Sequence, residues 1–177
     1  MTYTGKRGMS FENTITYANN VYLNKGVAVI NKRPTPVKVT KSKGTRVLSG
    51  FFEEKSTVDF DGVYKGRAIY FEAKSTKNDT RFDLKNIHKH QVDYMYETQK
   101  AGALCFFLIE FRGAREVFLV PFDFIHHYVV NADRGGRKSI PREDFNYYSA
   151  GLVEAKNGVP LDYLSIVEAL LCQSDRQ

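Results

Sequence analysis

The chain has 177 residues, 42% of them hydrophobic, with a net charge of +6 and a pI near 9.2. That length suits a single compact domain spanning residues 1–177 and leaves no room for a second full one. The basic balance favours a polyanionic partner, while the lack of an apolar run near the roughly 20 residues of a membrane span, or of one behind the N-terminal MTYTGKRGMS, predicts a cytoplasmic protein with no membrane partner.

In chain order, Ser10 suits a helix N-cap, and Phe11, Ile15, Ala18 and Tyr22 follow at helical spacing up to Gly26, which suits a helix stop. Val27 to Ile30 is a short β-branched run that Pro34-Thr35-Pro36 prevents from continuing as a central strand. Residues 37–55 alternate weakly, are rich in Lys and Thr and carry Gly44 and Gly50, the pattern of an exposed two-stranded arm. The charge is concentrated there. Between Asn31 and Lys55 seven basic residues face two acidic ones, so +5 of the net +6 lies in one short segment.

Thr57–Tyr64 and Arg67–Ser75 read as two strands of a hairpin turning at Lys65-Gly66. A helix is expected over Asn86–Lys100, with Ile87, Val92, Tyr94, Met95 and Tyr96 as its apolar positions and Gly102 as its stop. Strands are expected at 103–110 and 115–120, and helices near 122–131 and 162–172, the last with Leu164, Val167, Leu170 and Leu171 on one face. Cys105 and Cys172 lack metal or redox spacing and read as buried thiols. His88 and His90 have no third ligand at zinc spacing, and Gly135-Gly136-Arg137-Lys138-Ser139 lacks the order of a P-loop. Both stretches suit phosphate contact better.

The chemistry is concentrated in the hairpin. Asp59 lies thirteen residues before Glu72, and Glu72-Ala73-Lys74 puts a carboxylate and an ammonium on one strand face, because strand side chains alternate with period 2. Folding at Lys65-Gly66 returns Glu72 towards Asp59. Two carboxylates beside a lysine form an oxygen-rich site suited to Mg2+ or Mn2+, an ion that acidifies water and offsets charge in phosphodiester hydrolysis. Lys74 is suited to hold the attacking water or to stabilise developing charge. The same pattern also occurs on solvated strand faces; the apolar flank Ile69, Tyr70, Phe71 and Ala73 favours the site, since a charged pair on a buried strand is costly without a compensating ion.

The run Ser56-Thr57-Val58-Asp59-Phe60-Asp61-Gly62-Val63-Tyr64-Lys65-Gly66-Arg67, continued by Phe71-Glu72-Ala73-Lys74 and Thr76-Lys77-Asn78, closely resembles the core of RecU-type Holliday junction resolvases of Gram-positive bacteria and their phages. So do Arg7-Gly8-Met9, Lys32-Arg33-Pro34-Thr35-Pro36-Val37, His88-Lys89-His90-Gln91, Gly136-Arg137-Lys138-Ser139-Ile140 and Asp162-Tyr163-Leu164-Ser165-Ile166, in the family's order. The resemblance implies an α/β restriction-endonuclease-like fold, with a mixed sheet flanked by helices and a basic β stalk at 33–55. It further implies a homodimer, Mg2+ or Mn2+ dependence and paired nicks across four-way junction DNA, with contact to the host recombinase left open. Asp59, Glu72 and Lys74 fall on its catalytic positions, and Asp59, Glu72 and the Ala73 carbonyl on its metal ligands. Glu12 matches an acidic position that in related nucleases can face the metal, and equally suits a helix N-terminal carboxylate. Gln91 falls where the following helix can abut the site, though a plain surface position explains it nearly as well.

Two departures stand out. Val58 occupies a position that is often threonine in the family, so a hydroxyl contribution to the metal's surroundings is missing. The polar N-terminal extension and the basic arm are both shorter than in longer relatives. Arg7, Arg33, Lys38, Lys41, Lys43, Arg46, Lys77, His88, Arg137 and Lys138 are the expected DNA contacts, those of the arm at the junction centre where phosphate charge is densest. Phe51 and Phe52 are expected in the core in preference to stacking on bases. A restriction- or repair-type nuclease acting on duplex or flap DNA, and a junction-binding protein without catalysis, are the alternative readings.

Overall fold

The computed structural model describes residues 10–52, 57–148 and 151–174. Helix α1 (Phe11–Asn24) starts where extended Ser10 accepts a hydrogen bond from the Asn13 N–H, an N-cap that satisfies one otherwise orphaned donor. Its buried stripe of Ile15, Ala18 and Tyr22 is the one the 3.6-residue period marks out. Gly26, at φ +64°, turns the chain into β1 (Ala28–Lys32), which among the described residues pairs only with β4 and so lies at a sheet edge. The prolines beyond it carry no N–H to extend the ladder. Next, β2 (Val37–Lys43) and β3 (Arg46–Phe52) form a separate antiparallel ribbon turning at Gly44-Thr45, exposed along its whole length.

Strands β4 (Phe60–Tyr64) and β5 (Arg67–Thr76) form the expected hairpin. Lys65 and Gly66 both have positive φ, +49° and +76°, as the tight turns that match strand twist require. After β6 (Arg81–Asp83) and a 3-10 turn at Leu84–Asn86, α2 (Lys89–Lys100) crosses over to β7 (Leu104–Phe111). Then follow β8 (Glu116–Pro121), α3 (Phe122–Asp133), β9 (Ser139–Pro141), α4 (Asp144–Tyr148), β10 (Gly151–Leu152) and α5 (Leu164–Ser174).

The main sheet has the order β1-β4-β5-β7-β8-β10, antiparallel except for the β5–β7 pair. Helices cover both faces, giving the mixed α/β sheet that the resemblance anticipates. On one face α1 and α5 pack Ile15, Tyr22 and Val167 over Phe60, Phe71, Phe106 and Leu108. On the other, α2, α3 and α4 pack Met95, Ile125 and Phe145 over Phe107, Ile109 and Phe118. β7 is therefore buried on both sides along Cys105–Ile109, which is why Ala103–Ile109 is continuously apolar rather than alternating. Each buried Phe or Leu contributes about 1.5–3 kcal/mol by leaving water.

Two expectations are corrected, and some short elements were not expected at all. The helix expected from Asn86 begins at Lys89, because Ile87 and His88 are extended and Ile87 is buried as part of the core rather than on a helical stripe. Phe51 and Phe52 are 55% and 73% exposed, because a two-stranded ribbon has no second layer to cover its side chains. The short β6–β9 pair, β10 and α4 have too few residues for any period to register. Cys105 is buried, where desolvation raises its thiol pKa to about 11 and leaves it unreactive. The Cys172 side chain lies outside the described residues, as does Arg7.

Candidate active site

Hairpin register assembles the site. Phe60 pairs with Phe71, so one step beyond the end of β4 brings Asp59 level with Glu72. The Ala73 N–H donates to Asp59 Oδ2 at 3.0 Å, which orients that carboxylate. On β5, Tyr70 joins the core on the α2 side, and Glu72 and Lys74 follow at period 2 on that same face. Lys74 Nζ lies 2.9 Å from Glu72 Oε2.

Glu72 is the most unusual group here. It is 0% exposed, and among the described residues neither of its side-chain oxygens has a partner in hydrogen-bonding geometry, although one is within ion-pair distance of Lys74. Burial raises its pKa from the ordinary 4.5 to about 8; Lys74 opposes the rise and Asp59 adds to it. A buried carboxylate with unused lone pairs beside a second carboxylate is short of positive charge and of donors. A hard divalent cation fits that need. Among the described residues no three His, Cys, Asp or Glu side chains cluster at metal-binding distances, so the pair would be completed by backbone, water or phosphate oxygens.

The other expected residues fall into several environments. Glu12 ion-pairs with Lys32 at 2.6 Å; since Lys32 is level with Phe60, this holds the start of α1 near the strand end that leads to Asp59, with Glu12 engaged by a lysine. Gln91 is only 6% exposed, so a plain surface position is excluded; its Oε1 accepts from the His88 N–H and caps α2. His88 is exposed, with its ring stacked on His90 at 5.5 Å. Lys77 is exposed just past β5, and Arg137 and Lys138 are exposed on the loop before β9. Lys38, Lys41, Lys43 and Arg46 are exposed on the ribbon, where no acidic residue occurs between Val37 and Phe52. Val58 is 0% exposed among Phe82, Val92 and Ile109.

Arg33 is placed differently from the other cations. Its Nε donates to Asp61 at 2.9 Å, its Nη1 to Thr57 Oγ1, and its guanidinium lies 5.6 Å from the centre of the Tyr94 ring. Its backbone N–H donates to the Asp59 carbonyl at 2.8 Å. Thr57, Asp61 and Tyr94 were not among the sequence candidates. The only trace of this knot is Asp61 two residues after Asp59; nothing marks Arg33 as their partner.

Comparison with known proteins adds the following. The family model described as RecU, Recombination protein U, matches residues 6–169. A Holliday junction resolvase RecU from Geobacillus sp. (strain WCH70) is 38% identical over 170 residues, covering 93% of this chain and 84% of the relative. One from Shouchella clausii (strain KSM-K16) is 41% identical over 181 residues, covering 98% and 84%. A third, from Pediococcus pentosaceus, is 37% identical over 172 residues, covering 94% and 85%.

Proposed function

The chain belongs to the RecU family, and from that premise we propose that it is a structure-selective DNA endonuclease that resolves four-way junctions by paired, metal-dependent phosphodiester cleavage. The observation that carries the reading is Glu72: a fully buried carboxylate set level with Asp59 and 2.9 Å from the Lys74 ammonium, with no hydrogen bond of good geometry among the described residues. Three ionisable groups placed so in a sheet interior cost stability, which function explains and packing does not.

Asp59 and Glu72 would hold Mg2+ or Mn2+, with the Ala73 carbonyl as a further oxygen and Glu12 as a candidate through its exposed carboxylate. Such an ion supplies Lewis acidity towards a phosphate oxygen and lowers the pKa of water bound to it. The chain's own groups do the rest. The Ala73 N–H fixes the Asp59 carboxylate in one orientation. Lys74, only 15% exposed and 2.9 Å from Glu72 Oε2, orients the attacking water and offsets charge on the scissile phosphate. Glu72 is 0% exposed and level with Phe107 of β7, so bulk water is excluded and each of these interactions is strengthened.

Substrate choice rests on charge and symmetry. The exposed ribbon carries Lys38, Lys41, Lys43 and Arg46 away from the sheet, and neutralising phosphates at a crowded junction centre releases counterions. Phe51 and Phe52, exposed at its root, offer faces for unstacked bases. Lys77, His88, Arg137 and Lys138 would contact the duplex arms. A junction has near two-fold symmetry, so a homodimer with two sites about one axis can nick opposed strands. Contact with the host recombinase is a further expectation of the family.

The test is a synthetic mobile four-way junction incubated with wild type, Asp59→Asn and Lys74→Ala in Mg2+ and in Mn2+. Wild type is expected to cut the junction faster than the matching linear duplex, and each variant to bind it with cleavage reduced at least about 100-fold. Faster cutting of the duplex would favour a restriction- or repair-type enzyme, and variants as active as wild type would remove these residues from the site.

A further inference from the structure

We infer that Arg33 is a positioning residue for the Asp59 carboxylate, acting through the chain on either side of it rather than on DNA. The inference rests on the nuclease reading of Asp59 and Glu72. Asp59 lies just beyond the end of β4, outside the strand ladder that holds Glu72 in place. Its carboxylate accepts from the Ala73 N–H of the sheet. A residue so placed needs to be held from the other side: the Arg33 main-chain N–H donates to the Asp59 carbonyl, and the Arg33 guanidinium donates to the side chains that flank Asp59, Thr57 Oγ1 two residues before and Asp61 Oδ2 two residues after.

The guanidinium is itself held in place. Tyr94 of α2 lies against its face, and Tyr94 in turn packs edge-on to Tyr70 of β5 at 5.7 Å. The fork of Arg33 therefore joins β4, the loop before it and α2, three elements around one carboxylate. A planar guanidinium can meet Thr57 and Asp61 at once, which an ammonium on a flexible stem cannot. Its side chain is 33% exposed and its donors are directed at Asp61 and Thr57. Arg33 also directly precedes Pro34-Thr35-Pro36, so the residue that braces Asp59 is the last one before the chain leaves for the ribbon.

The two roles open to this arginine predict opposite results. A phosphate contact needs only charge, so Arg33→Lys would retain function and Arg33→Ala would weaken junction binding. Simple electrostatics adds that deleting a cation near a metal site should tighten metal binding. A positioning role predicts the reverse: looser binding of the ion, because one of its carboxylates is no longer held, and no rescue by lysine.

The experiment uses the full chain with Arg33→Ala, Arg33→Lys and Asp61→Asn. Mn2+ binding is measured by the signal of free ion in paramagnetic resonance, junction binding in EDTA, and single-turnover cleavage at saturating enzyme. Expected are a loss of Mn2+ affinity of about 10- to 100-fold in both arginine variants, a similar loss of cleavage rate, and junction affinity near wild type for Arg33→Lys. Combining Arg33→Ala with Asp61→Asn should cost less than the sum of the two, since both break the same bond. If Arg33→Ala does not fold, Arg33→Lys and Asp61→Asn still carry the measurement. Unchanged or tighter Mn2+ binding in the arginine variants, or full rescue by lysine, overturns the inference. If wild type cuts no DNA while Mn2+ affinity still depends on Arg33, the nuclease reading fails and this one stands.

Discussion

Glu72 ties pH to stability in a direction set by its burial. Its folded pKa of about 8 lies above the ordinary 4.5, so the folded protein retains a proton that the unfolded chain releases. Below about pH 4.5 both states are protonated there and the group costs nothing in charge. Between 4.5 and 8 the stability of the metal-free protein falls, and beyond 8 the loss is complete. Urea unfolding in EDTA at pH 5 and pH 9 should show wild type losing stability relative to Glu72→Gln by a few kcal/mol across that interval. The same substitution should abolish stabilisation by added Mg2+; a variant still stabilised by Mg2+ would mean the ion binds elsewhere. Val58 makes a contrasting case. Because it is sealed among Phe82, Val92 and Ile109, restoring a family-like threonine buries a hydroxyl, and Val58→Thr should cost about 1–2 kcal/mol by thermal unfolding without raising the cleavage rate. That Asp59, Glu72 and Lys74 come together is legible in the sequence, because strand period and a two-residue turn are local rules. The Arg33 knot is not, since its partners lie 24, 28 and 61 positions away and share no period.

At the scale of elements, the ribbon of β2 and β3 differs from everything else in the chain. Two strands without a packed face are marginally stable by themselves, and here Val37, Val39, Val47, Leu48, Phe51 and Phe52 are all exposed. A row of exposed apolar residues between lysines is a surface that gains by being covered. Removing residues 38–50 should therefore weaken junction binding more than duplex binding in a gel-shift titration; equal losses would reduce the ribbon to a generic cationic patch. Replacing Lys38, Lys41, Lys43 and Arg46 by alanine should lower the slope of log affinity against log salt by up to about 3 to 4. The ribbon was visible beforehand because prolines and lysines fix where the chain leaves the core. Its phenylalanines depart from expectation for a physical reason: aromatic residues usually find a second layer, and only the three-dimensional path shows that among the described residues none covers Phe51 and Phe52. The late start of α2 has a similar cause, since Ile87 is apolar whether it belongs to a helical stripe or to an extended segment crossing the core.

For the whole molecule, the sheet combines two kinds of pairing that differ in how much chain must close. β4 meets β5 through a two-residue turn, whereas β5 meets β7 only after the crossover containing α2. Short closures form sooner, because less chain entropy is lost before contacts repay it. Asp59 and Glu72 are thus brought level by the most local pairing in the main sheet, and β7 seals Glu72 from water only later. The order of assembly is open to kinetic test. Gly66→Val, which strains a residue at φ +76° with no neighbour in its way, should mainly slow refolding; Phe107→Ala, in the strand level with Glu72, should mainly speed unfolding. On this ordering the nascent chain passes through a stage in which the two carboxylates are already paired but still hydrated. An ion could then be taken up before its cage shuts, so a divalent cation present during refolding would act as a template for the hairpin as well as a ligand of the finished protein.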